Sequence, residues 1–229
     1  SVYHCISRVV GCLFLIDDPA KEVLRKMIWK YAEFCGIQVI AHVEMSNHFH
    51  LEVRVPIPRT ISDQEMLRRV EVLYGADSMQ YRLLNEARAE TSDGSVPEEL
   101  RAPYLRRMHD LSMFMKELKQ AFSRWYNATH DRYGAFWAER FRSSVVEDDP
   151  SHTTLIAAYI DLNPVRAGLV EDPKDYRYCG YAEALAGHHR AREGLRSICP
   201  PGDWARCAAH YRSKLYVVGG RVSQAGKEA

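Results

Sequence analysis

Two histidines separated by one residue, His48 and His50, stand in an apolar run that predicts a β-strand. Because side chains alternate between the two faces of a strand, both imidazoles point the same way and Phe49 points to the opposite face. Two neighbouring imidazoles can bind one divalent metal ion. Such a pair also occurs by chance on exposed strands, so a metal site requires a third ligand and a reactive group from elsewhere in the chain.

A later apolar segment offers both. Its spacing predicts a short helix with Asp149 as the N-cap. Pro164 is expected to end this helix after Asn163. Tyr159 and Asn163 are four residues apart, so they rise from one helix face about one turn from each other. Taken alone, Tyr159 is more often a core or rim aromatic, and an asparagine before a proline is more often a helix terminator. Opposite the histidine pair, however, the two residues would add a hydroxyl and an amide oxygen to a metal site.

Five blocks of the sequence, in order, resemble the REP-associated tyrosine transposases, the smallest insertion-sequence type of transposase in the HUH endonuclease superfamily. Two of them are specific: MSNHFHLEV and, about a hundred residues later, YIDLNPVRAGLV. The other three are YHCISRVVGCLFLIDD, FWAERFRSSVVEDD and DYRYCGYAEALAG. The resemblance covers most of residues 1–187. The chain departs from the family in having Arg8-Val9-Val10 where an arginine-glycine turn is usual, and in a long insertion at about residues 57–103.

The resemblance implies an α+β, ferredoxin-like antiparallel sheet with helices packed on it, as in HUH nucleases, with His48 and His50 on a central strand. It implies that these histidines are metal ligands, that Asn163 is the third ligand and that Tyr159 is the nucleophile. Such enzymes cut single-stranded DNA near a hairpin and form a 5′-phosphotyrosine and a free 3′-hydroxyl. The cofactor would be Mg²⁺ or Mn²⁺, because the substrate and Asn163 offer oxygen ligands, although two imidazoles also accept Zn²⁺. No residue of the sequence stands out as the general base.

Basic residues are unevenly distributed, although the net charge is only +1. Residues 60–100 hold four basic against nine acidic residues, whereas residues 101–142 hold nine basic against four acidic. The second segment would therefore attract phosphates and the insertion would repel them. Phe136 and Trp137 could stack on unpaired bases or be buried in a strand. The candidate DNA-binding residues are Lys116, Lys119, Arg124, Arg132, Arg140, Arg142 and Arg166.

The chain of 229 residues, 46% of them hydrophobic, is long enough to bury a full core. We expect residues 1–187 to form the HUH domain and residues 188–229 a C-terminal extension, partly disordered after Val218. No segment resembles a membrane span or a signal peptide, so a cytoplasmic protein is expected. The six cysteines lack metal-binding spacing, and Cys5, Cys12 and Cys35 are expected to be reduced core residues. The oligomeric state, monomer or homodimer, stays open.

Periodicity and turn residues predict the order β-α-β-β-α-β-α, with polar helices in the insertion. The predicted strands are residues 2–9, 37–45, 48–55 and 136–147, and the predicted helices are residues 18–35, 66–74, 79–89, 104–129 and the segment around Tyr159. Two other functions fit the same motifs. One is a domesticated, non-catalytic protein that binds hairpin DNA, and the other is a metallohydrolase in which the histidine pair activates water.

Overall fold

The structure, a computed structural model, describes residues 1–225, with side chains through Val217. Its centre is a four-stranded sheet in which every neighbouring pair of strands is antiparallel. The strands are β1 (Val2–Arg8), β2 (Gln38–Glu44), β3 (His48–Arg54) and β4 (Arg142–Val146), in the spatial order β2-β3-β1-β4. This is the order of a ferredoxin-like sheet, so the predicted α+β fold is confirmed and the histidine pair lies on a central strand.

One face of the sheet is covered by two amphipathic helices, α1 (Asp18–Cys35) and α5 (Leu111–Thr129), which pack against each other. The backbone N–H of Ala20 donates to Asp17, the N-cap of α1, and Gly36 ends this helix in the left-handed conformation, at φ 65°. Phe49, whose side chain points away from the two flanking histidines, contacts Trp137, which in turn packs on Phe122 of α5.

The opposite face of the sheet carries α6 (Pro150–Asp161), which packs on β2 and β3. Asp149 is its N-cap, as predicted, and accepts hydrogen bonds from the backbone N–H groups of Ser151 and His152. Pro164 acts differently from the prediction. The helix ends at Asp161, and Pro164 lies in the first turn of a short helix, α7 (Asn163–Arg166), where its missing N–H costs nothing.

The insertion forms three helices, α2 (Asp63–Tyr74), α3 (Met79–Glu90) and α4 (Glu98–Leu105). The first two were predicted and the third was not. Helix α2 packs on α1, and Arg68 of α2 forms an ion pair with Glu33 of α1. The insertion is therefore anchored to a helix that covers the sheet face opposite to α6.

Two predicted elements are too long. Helix α5 begins at Leu111 and not at residue 104, because His109 has φ 57°, which no right-handed helix tolerates, and Asp110 caps the helix by accepting from Met113. The strand predicted over residues 136–147 is paired only from Arg142. Before that point, the indole N–H of Trp137 donates to the Lys119 carbonyl and draws the chain onto α5, leaving a single bridge from Trp137 to Val9, just after β1.

The C-terminal part adds α8 (Gly180–Leu185), α9 (His189–Arg196) and α10 (Trp204–Ala225). Helix α9 lies so close to β2 that a Cβ on Gly194 would be 2.3 Å from the Val39 oxygen. Helix α10 packs on α6 and, contrary to the predicted disorder after Val218, continues to Ala225. Its buried Cys207, Tyr211 and Leu215 recur every four residues and hold it in place. Residues 226–229 lie outside the described residues.

All six cysteines are free thiols. Cys5 and Cys35 are buried in the core, but Cys12 is exposed. The prediction for Cys12 was wrong because Gly11 and Cys12 both have positive φ and form a surface turn after β1. Across residues 1–225, no helix has both the length and the apolar character that crossing a lipid bilayer would require.

Candidate active site around Tyr159

The antiparallel register of β1 and β3 places a row of polar side chains on the sheet face that α6 covers. Residues directly opposite each other in such a pair share a face, and residues two apart along a strand share it too. Three consecutive positions on this face of each strand therefore lie side by side. The facing pairs are Arg8 with His48, Ile6 with His50, and His4 with Glu52.

Helix α6 brings Tyr159 over this row. Its start is fixed by the Asp149 cap and by an ion pair between Asp148 and Arg54 at the end of β3, 2.9 Å apart. The Tyr159 ring stands edge-on to both His4 and His50, with ring centroids 6.1 Å apart in each case. The structure thus brings together the predicted tyrosine and the predicted histidine pair, although about a hundred residues separate them in the chain.

Both histidines of the pair form a hydrogen bond to a neighbouring side chain through Nδ1. His48 Nδ1 lies 2.6 Å from Asn47 Oδ1, and His50 Nδ1 lies 2.9 Å from His4 Nε2. The rings of His4 and His50 are nearly parallel, at 16°, with centroids 5.2 Å apart. Consequently, Nε2 is the nitrogen of His48 and of His50 that remains for a ligand.

Burial keeps these imidazoles neutral at physiological pH. Burial, together with smaller repulsive contributions from His48, His4, Arg8 and Arg166, lowers the pKa of His50 to about 3. Burial also lowers the pKa of His48, with a contribution from Arg8, and the pKa of His4. A neutral imidazole has a free lone pair, which is the form that binds a metal ion.

Asn163 begins α7, one turn beyond Tyr159. Its Nδ2 donates to the backbone oxygens of Tyr159 and Ile160, 3.0 and 3.2 Å away, so the side chain caps the end of α6. This is the helix-terminating role that the sequence also allowed. It uses only the amide nitrogen, and Oδ1 is the atom left for another partner.

The three histidines His4, His48 and His50 do not form a ready-made three-ligand cluster. Among residues 1–225, the only histidine, cysteine, aspartate and glutamate side chains whose ligand atoms all lie within 4.8 Å of one another are Glu147, Asp149 and His152. That exposed group lies at the start of α6, where the helix cap already accounts for Asp149. Among residues 1–225, the histidine pair is thus not joined within this distance by a third histidine, cysteine, aspartate or glutamate.

Two carboxyl groups are buried where α6 meets the sheet, on Glu52 of β3 and on Asp161 of α6. Glu52 has neither oxygen in a hydrogen bond, and burial, reinforced by the charge of Asp161, raises its pKa to about 9. Asp161 accepts from the Tyr211 hydroxyl at 2.6 Å and from the Tyr181 N–H at 3.1 Å, and burial raises its pKa to about 6. Glu52 is therefore protonated at neutral pH, whereas Asp161 is mostly ionised.

Arginines surround the cluster. The guanidinium of Arg166 lies over the Tyr159 ring, 4.7 Å from its centroid. Arg8 faces His48 across the β1–β3 pair, and Arg142 of β4 faces Ile6 on the same side of the sheet. All three arginines are exposed. Their charges make this face attractive to a phosphate group.

The other predicted DNA contacts are less uniform. Lys116, Arg124 and Arg140 are exposed, whereas Arg132 is half-buried and donates to the Ala135 oxygen at 3.0 Å. Lys119 is buried, its ammonium bonds the Glu139 oxygen at 2.7 Å, and burial lowers its pKa to about 8. Phe136 is also buried, so neither its ring nor the Lys119 ammonium is presented at the surface.

Sequence reasoning missed four polar residues of this site: His4, Arg8, Asn47 and Glu52. Glu52 could have been found, because it continues the period of two that places His48 and His50 on one face. Asn47 precedes the pair directly and was treated only as part of a turn. His4 and Arg8 required the register of β1 against β3, which no local pattern reveals.

No protein-family model and no curated protein matches the sequence. Among solved structures, the chain is similar to a REP-associated tyrosine transposase bound to a REP hairpin. The two share 16% sequence identity over 89% of this chain and 86% of that chain, with a TM-score of 0.49. A likeness at this level assigns no chemistry, which has to come from the residues around Tyr159.

Proposed function

We propose that this chain is a metal-dependent endonuclease and strand transferase acting on single-stranded DNA beside a hairpin, a transposase of the HUH tyrosine type. The observation that carries the proposal is the contact of Tyr159 with His50 of the histidine pair, with ring centroids 6.1 Å apart, beside an arginine that lies over the Tyr159 ring. The motifs that resemble this transposase family supply the substrate class, and the absence of a membrane-spanning helix from residues 1–225 is compatible with work in the cytoplasm.

Tyr159 is the proposed nucleophile. Its phenolic oxygen would form a bond to the phosphorus of a backbone phosphate, and the bond from that phosphorus to the 3′-oxygen would break. The phenolic proton is given up, the departing 3′-oxygen takes up a proton, and the DNA stays attached as a 5′-phosphotyrosine. Because the phosphodiester energy is kept in the covalent link, a 3′-hydroxyl can later attack it and rejoin the strand.

The residues present fit a divalent metal ion. His48 Nε2 and His50 Nε2 are the free nitrogens of two neutral imidazoles on one sheet face, and Asn163 Oδ1 adds a hard oxygen donor. Such a mixed set, completed by phosphate oxygens, suits Mg²⁺ or Mn²⁺ and also tolerates Zn²⁺. When bound, the ion would act as a Lewis acid on the scissile phosphate.

Arg166, Arg8 and Arg142 are the proposed phosphate contacts of the site. Arg166 also restrains the Tyr159 ring by lying on its face, an interaction that contributes about 0.5–1 kcal/mol at an exposed position. Lys116, Arg124 and Arg140 are exposed candidates for contacts with the DNA backbone farther along the strand. Backbone contacts of this kind add affinity without reading sequence.

The test is incubation of the protein with labelled single-stranded DNA hairpins and Mn²⁺ or Mg²⁺, followed by a denaturing gel. Wild type is expected to give a covalent protein–DNA band. Tyr159→Phe should abolish that band and leave hairpin binding intact, because only the attacking oxygen is lost. His48→Ala should also abolish the band, because it removes a proposed ligand of the metal ion. Tyr133→Phe is the matched control, because Tyr133 is 87% exposed.

The other two candidate functions give different results in the same experiment. Hairpin binding without any cleavage would identify a non-catalytic DNA-binding protein. Cleavage without a covalent band, persisting in Tyr159→Phe but lost in His48→Ala, would identify a hydrolase that activates water. Either result would refute the tyrosine mechanism.

A further inference from the structure

The two histidines of the site are anchored in the same way by two residues with no assigned role. Asn47 Oδ1 contacts His48 Nδ1 at 2.6 Å, and His4 Nε2 contacts His50 Nδ1 at 2.9 Å. In both cases Nδ1 of the histidine makes the contact, and Nε2 is left for another partner. The position of the proton on each ring decides whether that Nε2 is a donor or a free lone pair.

The proton on His48 follows from the orientation of Asn47. The amide nitrogen of Asn47 is directed at the Cys12 oxygen, 3.4 Å away, so its oxygen is the atom that faces His48. A carbonyl oxygen can only accept, and therefore His48 must donate from Nδ1. In the neutral ring, Nε2 is then unprotonated.

The proton shared by His4 and His50 follows from their different exposure. If His50 donates to His4 Nε2, the remaining N–H of His4 lies on its Nδ1, and His4 is only half-buried. If His4 donates, the remaining N–H lies on Nε2 of His50, which is only 4% exposed. Water solvates an N–H better on the more exposed of the two rings, so the first arrangement is favoured.

We propose that Asn47 and His4 are positioning residues, which hold His48 and His50 as Nδ1–H tautomers and so present two Nε2 lone pairs on one sheet face. His4 is then not a third metal ligand, in agreement with the failure of the three histidines to converge within 4.8 Å anywhere among residues 1–225. The benefit of this arrangement for metal binding rests on the proposed function, but the tautomers themselves do not.

The tautomers can be read by ¹⁵N NMR of histidine side chains in the metal-free full-length protein at neutral pH. Wild type should show protonated Nδ1 and unprotonated Nε2 for both His48 and His50. Each variant should disturb only its own partner. His4→Phe removes the acceptor and should mix the tautomers of His50 alone, whereas Asn47→Ala should do so for His48 alone. His189→Gln, at an exposed histidine, should change neither.

The consequence is measured by Mn²⁺ titration followed by electron paramagnetic resonance. Losing a partner that orients a ligating histidine typically weakens metal binding about 10–100-fold, and we expect that range for His4→Phe and for Asn47→Ala. His4→Gln should recover most of the affinity, because its amide oxygen can accept from His50 in the same place. A merely structural role of His4 would predict no such rescue.

Three outcomes are decisive. A proton on Nε2 of His50 or of His48 in wild type overturns the inference, and this reading does not depend on any variant folding. Tautomers unchanged in both folded variants, checked by circular dichroism, also overturn it. The predicted tautomers in a wild type that binds no Mn²⁺ would uphold the positioning role and would count against the proposed metal-dependent function.

Discussion

Removing the hydroxyl group of Tyr211 should destabilise the protein measurably, because this group ties the last helix to the helix that carries Tyr159. Tyr211 is fully buried in α10 and donates at 2.6 Å to Asp161, which lies two residues beyond Tyr159 in α6. In Tyr211→Phe, the ring still fills its place in the core, so the change isolates one hydrogen bond. Asp161 keeps its second bond, from the Tyr181 N–H.

The magnitude follows from the state of the acceptor. The pKa of Asp161 is about 6, so at pH 8 its carboxyl group is ionised and the bond is charge-assisted. Such bonds contribute about 1.5–3 kcal/mol, and the variant leaves a carboxylate oxygen buried without its donor, so we expect a loss of about 2–3 kcal/mol. For a chain of this size, that loss corresponds to about 4–12 °C in the melting temperature.

The assay is urea unfolding at pH 8, followed by far-ultraviolet circular dichroism. Tyr216→Phe is the matched control in the same helix. Its hydroxyl accepts from Arg212 at 2.8 Å, but the residue is 67% exposed, so the free energy of unfolding should change by less than about 0.5 kcal/mol. A Tyr211→Phe variant as stable as this control would refute the argument that α10 is fastened to α6 through Asp161.

Three further predictions concern other parts of the fold. Gly194→Ala should cost about 3 kcal/mol in urea unfolding, because its Cβ would meet backbone oxygen of β2 at 2.3 Å, whereas the exposed Glu193→Ala should cost under about 0.5 kcal/mol. Burial lowers the pKa of Lys119 from 10.5 to about 8, so the unfolded chain binds more protons between these values. Stability relative to Lys119→Met should rise from pH 8 to 10, and a flat difference would contradict the burial. Arg142→Gln should lower the salt dependence of hairpin binding by about 0.7 in logarithmic slope, unlike the half-buried Arg132→Gln; equal slopes would exclude Arg142 as a phosphate contact.

The fold could be predicted where the signal is local. Helix α1 has a capping aspartate, an apolar stripe and a terminal glycine, and β2 and β3 follow each other through a tight turn. The errors lie where tertiary contacts override local pattern. His109 is held in a left-handed conformation while its N–H donates to the Cys35 oxygen, and this ends a stretch whose apolar spacing continues the helical pattern. The bond from Trp137 to the Lys119 carbonyl shortens β4 in the same way.

The residues of the candidate site were likewise predictable where the signal is local and not where it depends on tertiary contacts. His48, His50 and Tyr159 could be identified because their chemistry is carried by spacing within one strand and one helix. Lys119 was expected at the surface because it lies off the apolar stripe of α5, but the loop around Glu139 folds over it. The sequence could not reveal this, because the loop comes twenty residues later and has no regular pattern of its own.

The residues that sequence reasoning found supply the reactive groups, whereas His4 and Asn47, which it missed, decide how the imidazoles are protonated. A strand pattern gives the face on which an imidazole lies, but not which of its two nitrogens carries the proton. That information resides in the register of β1 against β3, which brings His4 to His50, and in the orientation of the Asn47 amide. A one-residue slip of β1 would move His4 to the opposite face and remove the partner of His50. The chemistry proposed for the histidine pair therefore depends on a strand that contributes no ligand itself, and variants of His4 should affect metal binding more than their position outside the HFH motif would indicate.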